Sequence, residues 1–143
     1  MKVKTVEFID LESQVSKTGK SFRDLLATEV GKAYIIAISR DGCPACERQK
    51  PKLDQLAESL QKEKKNKIVF VRIHVKYSEK SNAEAVRSKD VLDHYFFPTN
   101  MILIRTKDRG AIEIYRNVSP RMSELRRNID VAIEIADVVK NRN

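Results

Sequence analysis

The chain has 143 residues, 41% of them hydrophobic and 34% charged, so we expect one globular domain, residues 1–143, that buries a core without metal or disulfide support. Its longest apolar run, residues 33–38, is far shorter than the roughly 18 residues that a membrane span needs. The first seven residues do not resemble a signal peptide, and we therefore expect a cytoplasmic protein without membrane contact.

The first part of the chain predicts two strands with a helix between them. Val3–Ile9 is typical of a first strand. Ser21 can cap the helix that follows, whose apolar residues share one face and for which Gly31 favours a stop. Tyr34–Ile38 is apolar throughout, as expected of a central strand that is covered on both faces.

A long helix is predicted directly after this strand. Apolar residues recur at helical spacing over residues 44–62, so the helix begins at or next to Cys43. Pro51 lies inside the pattern, where it removes a backbone donor and should kink the helix. The next strand is Ile68–Val75, which is rich in β-branched residues.

The last part of the chain predicts a helix over residues 82–95, a hairpin and a final helix. Met101–Ile104 and Ile112–Tyr115 form the hairpin, with Gly110 in its turn. Ser119–Pro120 supply the cap and the first residue of the final helix. The order β-α-β-α-β-α-β-β-α predicts a three-layer α/β/α domain with a mixed central sheet.

Chemistry is indicated by the only two cysteines, Cys43 and Cys46, at the start of the long helix. The unpaired N–H groups at a helix N-terminus favour a thiolate over a thiol. We expect Cys43, which follows the flexible Asp41–Gly42, to be exposed with a lowered pKa, and Cys46 to be shielded one turn further in. Disulfide exchange requires this asymmetry, because one sulfur attacks and the other resolves the mixed disulfide.

A metal site is the main alternative use of the two cysteines. It would need His74 and His94 to converge on them, or a dimer that shares a metal through two cysteine pairs. The spacing does not resemble a zinc finger, so we expect neither a metal nor a bound cofactor. We expect His74 to lie on an outward or partly buried face and His94 on the surface at a helix end.

The sequence resembles the thioredoxin superfamily over almost its whole length. The resemblance rests on the apolar strand that runs into the cysteine motif, on a proline inside the helix, and on a proline before a later strand. These features are Cys43-Pro44-Ala45-Cys46, Pro51 and Phe97-Pro98-Thr99.

The resemblance implies the thioredoxin fold and a protein dithiol–disulfide oxidoreductase. Cys43 would be the nucleophile and Cys46 the resolving thiol, forming a redox-active disulfide. Pro98 would be a cis proline packed against this disulfide, and the backbone of Phe97 would pair with the substrate chain. The residues expected to bind substrate are Phe97, Pro98, Thr99 and Gly42.

Two departures from the family pattern raise alternatives. Ala37 stands where familiar thioredoxins carry a buried acid that assists the resolving thiol, so Cys46 would deprotonate through water or with help from Glu47 or Arg72. Arg40 and Asp41 would shift the pKa of Cys43 in opposite directions. A thioredoxin-like interaction module without catalysis is therefore the second hypothesis, and a glutathione-dependent, glutaredoxin-like activity is the third.

The expected partners are protein substrates with disulfides or thiols, and a disulfide reductase that recycles the pair. The net charge of +8 is not organised as a basic stripe with interleaved aromatic residues, so we expect no nucleic-acid partner. We expect a monomer. Residues 95–97, Tyr-Phe-Phe, form either ordinary core or a rim for docking a peptide.

Overall fold

The computed structural model describes residues 3–142. Within these residues the strands are β1 (Lys4–Glu7), β2 (Ala33–Arg40), β3 (Ile68–Val75), β4 (Thr99–Arg105) and β5 (Ala111–Val118). The helices of the same part of the chain are α1 (Phe8–Thr18), α2 (Phe22–Leu26), α3 (Pro44–Glu63), α4 (Ala83–Val91) and α5 (Met122–Asn141). None of these helices is long and apolar enough to cross a membrane.

The strands form one mixed sheet in the order β1-β3-β2-β4-β5. β1, β3 and β2 run parallel, while β4 and β5 are antiparallel to their neighbours. Nearly every residue of β2 and β4 is buried, because helices cover both faces of the sheet. The predicted three-layer α/β/α architecture with a mixed central sheet is confirmed.

Two apolar clusters fill the space between the sheet and its helices. One contains Phe8 and Leu11 of α1 and Phe22 of α2, together with residues of α4 and one face of the sheet. The other contains Leu53 of α3 and Leu125 of α5 against the opposite face. Each helix is therefore held by its apolar stripe.

The N-terminal part differs from the prediction. Val3–Ile9 is not one strand, because β1 ends at Glu7 and α1 begins at Phe8. Ser21 caps α2 as predicted, since its hydroxyl accepts from the Arg23 N–H at 3.0 Å. The helix ends at Leu26 rather than at Gly31, and the Ala27 carbonyl beyond it accepts a hydrogen bond from the Arg105 side chain at 2.8 Å.

The later helices also differ at their ends. α3 continues through Pro51, which lies on its exposed side. α4 ends at Val91 instead of reaching residue 95. α5 begins at Met122 with Arg121 as its N-cap, so Ser119–Pro120 do not start it. Instead the Ser119 N–H donates to the Pro98 carbonyl at 3.2 Å, which ties the end of the hairpin to the start of β4.

Candidate active site

The predicted site residues meet at one end of the sheet. β2 and β4 are antiparallel neighbours, and Ile38 near the end of β2 is paired with Thr99 at the start of β4. Cys43 follows β2 and Pro98 precedes β4. The cysteine pair and the Phe97–Pro98 segment therefore lie side by side. Cys43 and Phe97 are in contact although they are 54 positions apart in the sequence.

Cys43 and Cys46 form a disulfide, with their Cα atoms 5.2 Å apart. Cys43 is the N-cap of α3, and its sulfur accepts from the Cys46 N–H at 3.2 Å. Pro44 occupies the first helical position, where a backbone donor would find no partner within the helix. The prediction that the helix begins next to Cys43 is confirmed.

The predicted difference in exposure between the two cysteines is wrong. Cys43 is 5% exposed and Cys46 is 7% exposed, so both are buried in the disulfide form. The Phe97 carbonyl oxygen lies 3.8 Å from the Cys43 sulfur. The Cys43 sulfur, which the local sequence predicted to be exposed, is thus covered by a segment that is distant in sequence.

The segment that covers Cys43 is fixed by several contacts. The Phe97–Pro98 peptide bond is cis. The Phe96 carbonyl accepts from the Thr99 hydroxyl at 2.6 Å and lies 3.1 Å from Nδ1 of His94. The His94 ring packs edge-on against the Phe97 ring, with centroids 4.8 Å apart. His94 is fully buried beneath this segment, so its predicted surface position is wrong.

The turn before Cys43 carries Arg40 and Asp41, whose opposite effects on the pKa of Cys43 the sequence could not rank, and their side chains bind different partners. The Asp41 carboxylate lies 2.8 Å from Nε2 of His74 and accepts from the Tyr77 N–H at 3.4 Å. The hydrogen bond to His74 is the main reason why the pKa of Asp41 is lowered. The Arg40 guanidinium stacks over the Tyr77 ring at 3.9 Å and lies 5.7 Å from the Phe97 ring centroid. His74 is half-buried, as predicted.

Gly42 makes the last step of this turn into Cys43. Its φ is +63°, a conformation that residues with a Cβ rarely adopt, and the residue is exposed. Glycine therefore allows the chain to leave β2 and enter α3 within a few residues. Its role in binding substrate stays a prediction, as do those of Phe97, Pro98 and Thr99.

Beside Ala37 the sheet carries polar side chains instead of a buried acid. Ala37 is paired with Arg72 on one side and Asn100 on the other. Arg72 forms an ion pair with Asp54 on α3 at 3.1 Å, so this cation is already engaged. Glu47, the other predicted helper, is exposed.

Sequence reasoning missed a buried amide pair at this place. Gln49 donates through Nε2 to Oδ1 of Asn100 at 2.7 Å, and both side chains are buried. Within residues 3–142, Nδ2 of Asn100 is the single buried side-chain nitrogen or oxygen without a hydrogen-bond partner. A signal existed, since Gln49 follows Cys46 by nearly one helical turn and Asn100 stands in an otherwise apolar strand run.

The histidines do not join the cysteines in a metal site. His74 is bonded to Glu7 and Asp41, whereas His94 is bonded to Ser88 and to the Phe96 carbonyl. In the part of the chain that the structure describes, no group of three or more His, Cys, Asp or Glu side chains could hold a metal ion. The Cys2His2 alternative is therefore not assembled in this fold.

Comparison with known proteins identifies the fold. The sequence matches no protein-family model and no curated protein. The structure is similar to thioredoxin f from spinach chloroplast (short form; TM-score 0.58, 18% identity, 92% of this chain and 93% of that chain). It is also similar to a thioredoxin of Nicotiana alata (0.59, 15%, 92% and 95%). A third match is thioredoxin f2 in a complex with ferredoxin:thioredoxin reductase (0.56, 18%, 92% and 94%).

These similarities show that the chain has the thioredoxin fold, and they confirm the predicted resemblance at the level of the fold. The sequence identities lie far below those at which activity can be carried from one protein to another. What the disulfide does must therefore be argued from the residues around it.

Proposed function

We propose that this thioredoxin-fold chain is a dithiol–disulfide oxidoreductase that exchanges disulfides with protein cysteines. The observation that carries the proposal is the disulfide between its only two cysteines, Cys43 and Cys46, at the N-terminus of α3. In a reducing compartment a Cys-x-x-Cys pair is more often catalytic or metal-binding than structural. The fold also has two buried apolar clusters to stabilise it. The Cys43–Cys46 disulfide closes a very short loop, and such a crosslink adds little stability, so a structural role explains it poorly.

The proposed reaction moves two electrons. The reduced Cys43 thiolate attacks one sulfur of a substrate disulfide, forms a mixed disulfide and releases the other substrate sulfur as a thiolate. Cys46 then loses its proton and attacks the Cys43 sulfur, which closes the Cys43–Cys46 disulfide and releases the second substrate thiol. The substrate is reduced and this protein is oxidised. The reverse sequence would donate the disulfide to a substrate dithiol.

The surroundings of Cys43 support its role as the attacking sulfur. The Cys46 N–H that donates to the Cys43 sulfur at 3.2 Å would also stabilise a thiolate there. The Phe97 carbonyl, 3.8 Å from the same sulfur, supports the idea that the Phe97 backbone pairs with the substrate chain. In this proposal Pro98, Thr99 and Gly42 shape the same surface.

Recycling requires a reductant that the chain does not contain. One structural neighbour, thioredoxin f2, was crystallised with ferredoxin:thioredoxin reductase. By analogy we propose that a disulfide reductase regenerates the dithiol when the protein acts as a reductant. The proposal also includes a monomeric, single-domain protein that acts in the cytoplasm and needs no bound cofactor.

The test compares two single substitutions in the reduction of a protein disulfide, with dithiothreitol as the final reductant. Cys43→Ser should lower turnover to the rate of dithiothreitol alone, because the attacking sulfur is lost. Cys46→Ser, reduced beforehand and mixed with the substrate in the absence of dithiothreitol, should accumulate a mixed disulfide, visible as a mass adduct that added dithiothreitol removes. Robust turnover by the Cys43→Ser protein would overturn the proposal. A wild-type rate no higher than that of dithiothreitol would favour the interaction module.

A further inference from the structure

A groove lies beside the disulfide, on the side of α4. It has a volume of about 330 Å³ and is bordered by the end of β2, the chain after β3, α4 and the segment before Pro98. We call it the α4 groove. The residues that matter for its chemistry are Arg40, Tyr77, Val86, Lys89, Tyr95 and Phe96.

Large apolar side chains are unusually exposed along this groove. Tyr95 is 78% exposed, Phe96 is 64% exposed and Val86 is 58% exposed. Single exposed apolar residues are ordinary on protein surfaces, but several around one concavity mark a contact surface. Aromatic side chains are also the residue type that protein–protein interfaces enrich most.

The backbone that carries the exposed Phe96 is held by hydrogen bonds from below. The Phe96 carbonyl is bonded to the Thr99 hydroxyl and to His94, and His94 is bonded in turn to Ser88 of α4 at 3.0 Å. These bonds order the backbone from which the Phe96 side chain projects. A surface that is ordered before binding pays less conformational entropy when a partner arrives.

The groove is positively charged and contains no acid. Arg40 and Lys89 both line it, and no Asp or Glu is among its lining residues. Within residues 3–142, neither cation has a carboxylate within ion-pair distance. Arg40 instead donates to the Asp41 carbonyl and stacks on Tyr77. A carboxylate entering this apolar concavity would meet two unpaired cations.

Phe97 connects the groove to the reactive sulfur. Its ring borders the groove near Arg40, while its carbonyl lies 3.8 Å from the Cys43 sulfur. An extended peptide advances about 3.3 Å per residue. A substrate chain whose cysteine lies at Cys43 would therefore reach the α4 groove within a few residues.

We propose that the α4 groove selects substrates whose reactive cysteine is flanked by an aromatic or large aliphatic side chain next to a carboxylate. The apolar side chain packs on Phe96, Tyr95 and Val86, and the carboxylate pairs with Lys89 and Arg40. This inference rests on the proposed oxidoreductase function, because it assigns a substrate class to the same site.

The experiment measures single-turnover rates of the reduced protein with two peptides, each carrying one mixed disulfide to a chromogenic thiol. One peptide has Phe-Glu beside its cysteine and the other has Ser-Lys, each tested on either side of the cysteine. The Phe-Glu peptide should react roughly tenfold faster in one of the two orientations, a ratio that corresponds to about 1.4 kcal/mol. If the Phe-Glu and Ser-Lys peptides react at equal rates in both orientations, the inference is overturned.

Matched variants assign the selectivity to the groove. Lys89→Glu and Phe96→Ser should each reduce the ratio of the two rates by several-fold. Lys65→Glu is the charge-matched control, because Lys65 is exposed before β3, at the opposite end of the sheet from Cys43. It should leave the ratio unchanged. A ratio that falls equally in Lys65→Glu would mean a general charge effect and would overturn the assignment to the groove.

A small symmetrical aromatic disulfide separates the two possible failures. It has no flanking residues, so it reports the reactivity of the cysteine pair alone. If the reduced wild-type protein does not reduce it, the oxidoreductase function fails. If the protein reduces it rapidly but does not distinguish the peptides, the function stands and the substrate class assigned to the groove is wrong.

Discussion

Each of the two histidines contacts a segment next to Cys43, and the two histidines differ in burial and in the charge of their partners. His74 lies on β3, half-buried between two carboxylates, with Glu7 at 2.7 Å and Asp41 at 2.8 Å. His94 follows α4 and is fully buried, with the Ser88 hydroxyl at 3.0 Å and the Phe96 carbonyl at 3.1 Å. The first histidine supports the turn before Cys43, and the second supports the segment that covers it.

The comparison shows that the pKa of a histidine shifts up or down according to its burial and its hydrogen-bond partners, although the residue type is the same. Partial burial by itself would lower the pKa of His74, but the hydrogen bonds to Asp41 and Glu7 together raise it. Burial lowers the pKa of His94 by more than the hydrogen bond to the Phe96 carbonyl raises it, and the nearby charges of Arg116 and Lys89 also lower it. One side of the site thus rests on a partly exposed imidazole with a raised pKa, and the other on a buried imidazole with a lowered pKa.

The largest expected difference between the two sides is in stability. His94→Ala should lower the free energy of unfolding by about 3 kcal/mol, because it leaves a cavity and unpaired polar groups. His74→Ala should cost at most about 1 kcal/mol, since its partners are near the surface. Urea unfolding at pH 7.5 measures both values. His94→Phe, which refills the ring volume, should recover part of the loss, and equal losses at the two histidines would contradict the comparison.

A smaller effect is expected in the pH dependence of stability. In the unfolded chain both histidines titrate near the ordinary pKa of 6.5. Because the pKa of folded His94 is lower, its contribution is complete above pH 6.5 and is lost as the pH falls toward the folded value. Because the pKa of folded His74 is higher, its contribution is complete below pH 6.5 and is lost as the pH rises through the folded value.

Single variants should therefore reveal slopes of opposite sign. His74→Gln retains His94 and should lose stability on acidification from pH 8 to 6, by no more than about 1.4 kcal/mol per pH unit. His94→Phe retains His74 and should gain stability over the same range, by less, because water and salt screen its partly exposed partners. Urea unfolding at several pH values measures the slopes. Slopes of the same sign would contradict the assigned environments.

The smallest expected effect is a change in the pKa of one histidine when a charged neighbour is removed. Asp41→Asn removes one of the two carboxylates beside His74, so the pKa of His74 should fall while that of His94 stays unchanged. Adding 1 M salt should also lower the pKa of His74, whereas at the buried His94 it should cause a smaller change, and an upward one, because the screened charges there are cations. NMR titration of the two imidazole rings gives both values. A shift at His94 as large as that at His74 would show that the two sides are coupled.

Much of the fold was predictable because its signals are local. The all-apolar run that became β2 and the helical spacing that became α3 each depend on neighbours within a few residues. The start of α3 at Cys43 follows from the same spacing and from Pro44 in the first helical position. Helix α1 was missed although Phe8, Leu11 and Val15 carry helical spacing, because β1 runs into it without a break.

The errors at the site have a different cause. The sequence predicted an exposed Cys43 and a surface His94, and both are buried. His94 is enclosed by residues within six positions, Ser88, Phe96 and Phe97, whose packing the apolar pattern did not indicate. Cys43 is covered from a distant part of the chain. The Phe97 carbonyl that covers Cys43 comes from 54 positions away. The buried Gln49–Asn100 pair between α3 and β4 joins residues 51 positions apart.

The sequence by itself determined the order of strands and helices from β2 to α5, the placement of two cysteines at a helix N-terminus and the glycine turn that leads into it. These features follow from backbone preferences and from the period of apolar side chains. Only the tertiary structure decided which polar groups are buried, which histidine has a lowered pKa and which aromatic residues face water. Burial and pKa depend on the segments that pack around a residue, and the sheet brings those segments together from distant parts of the chain.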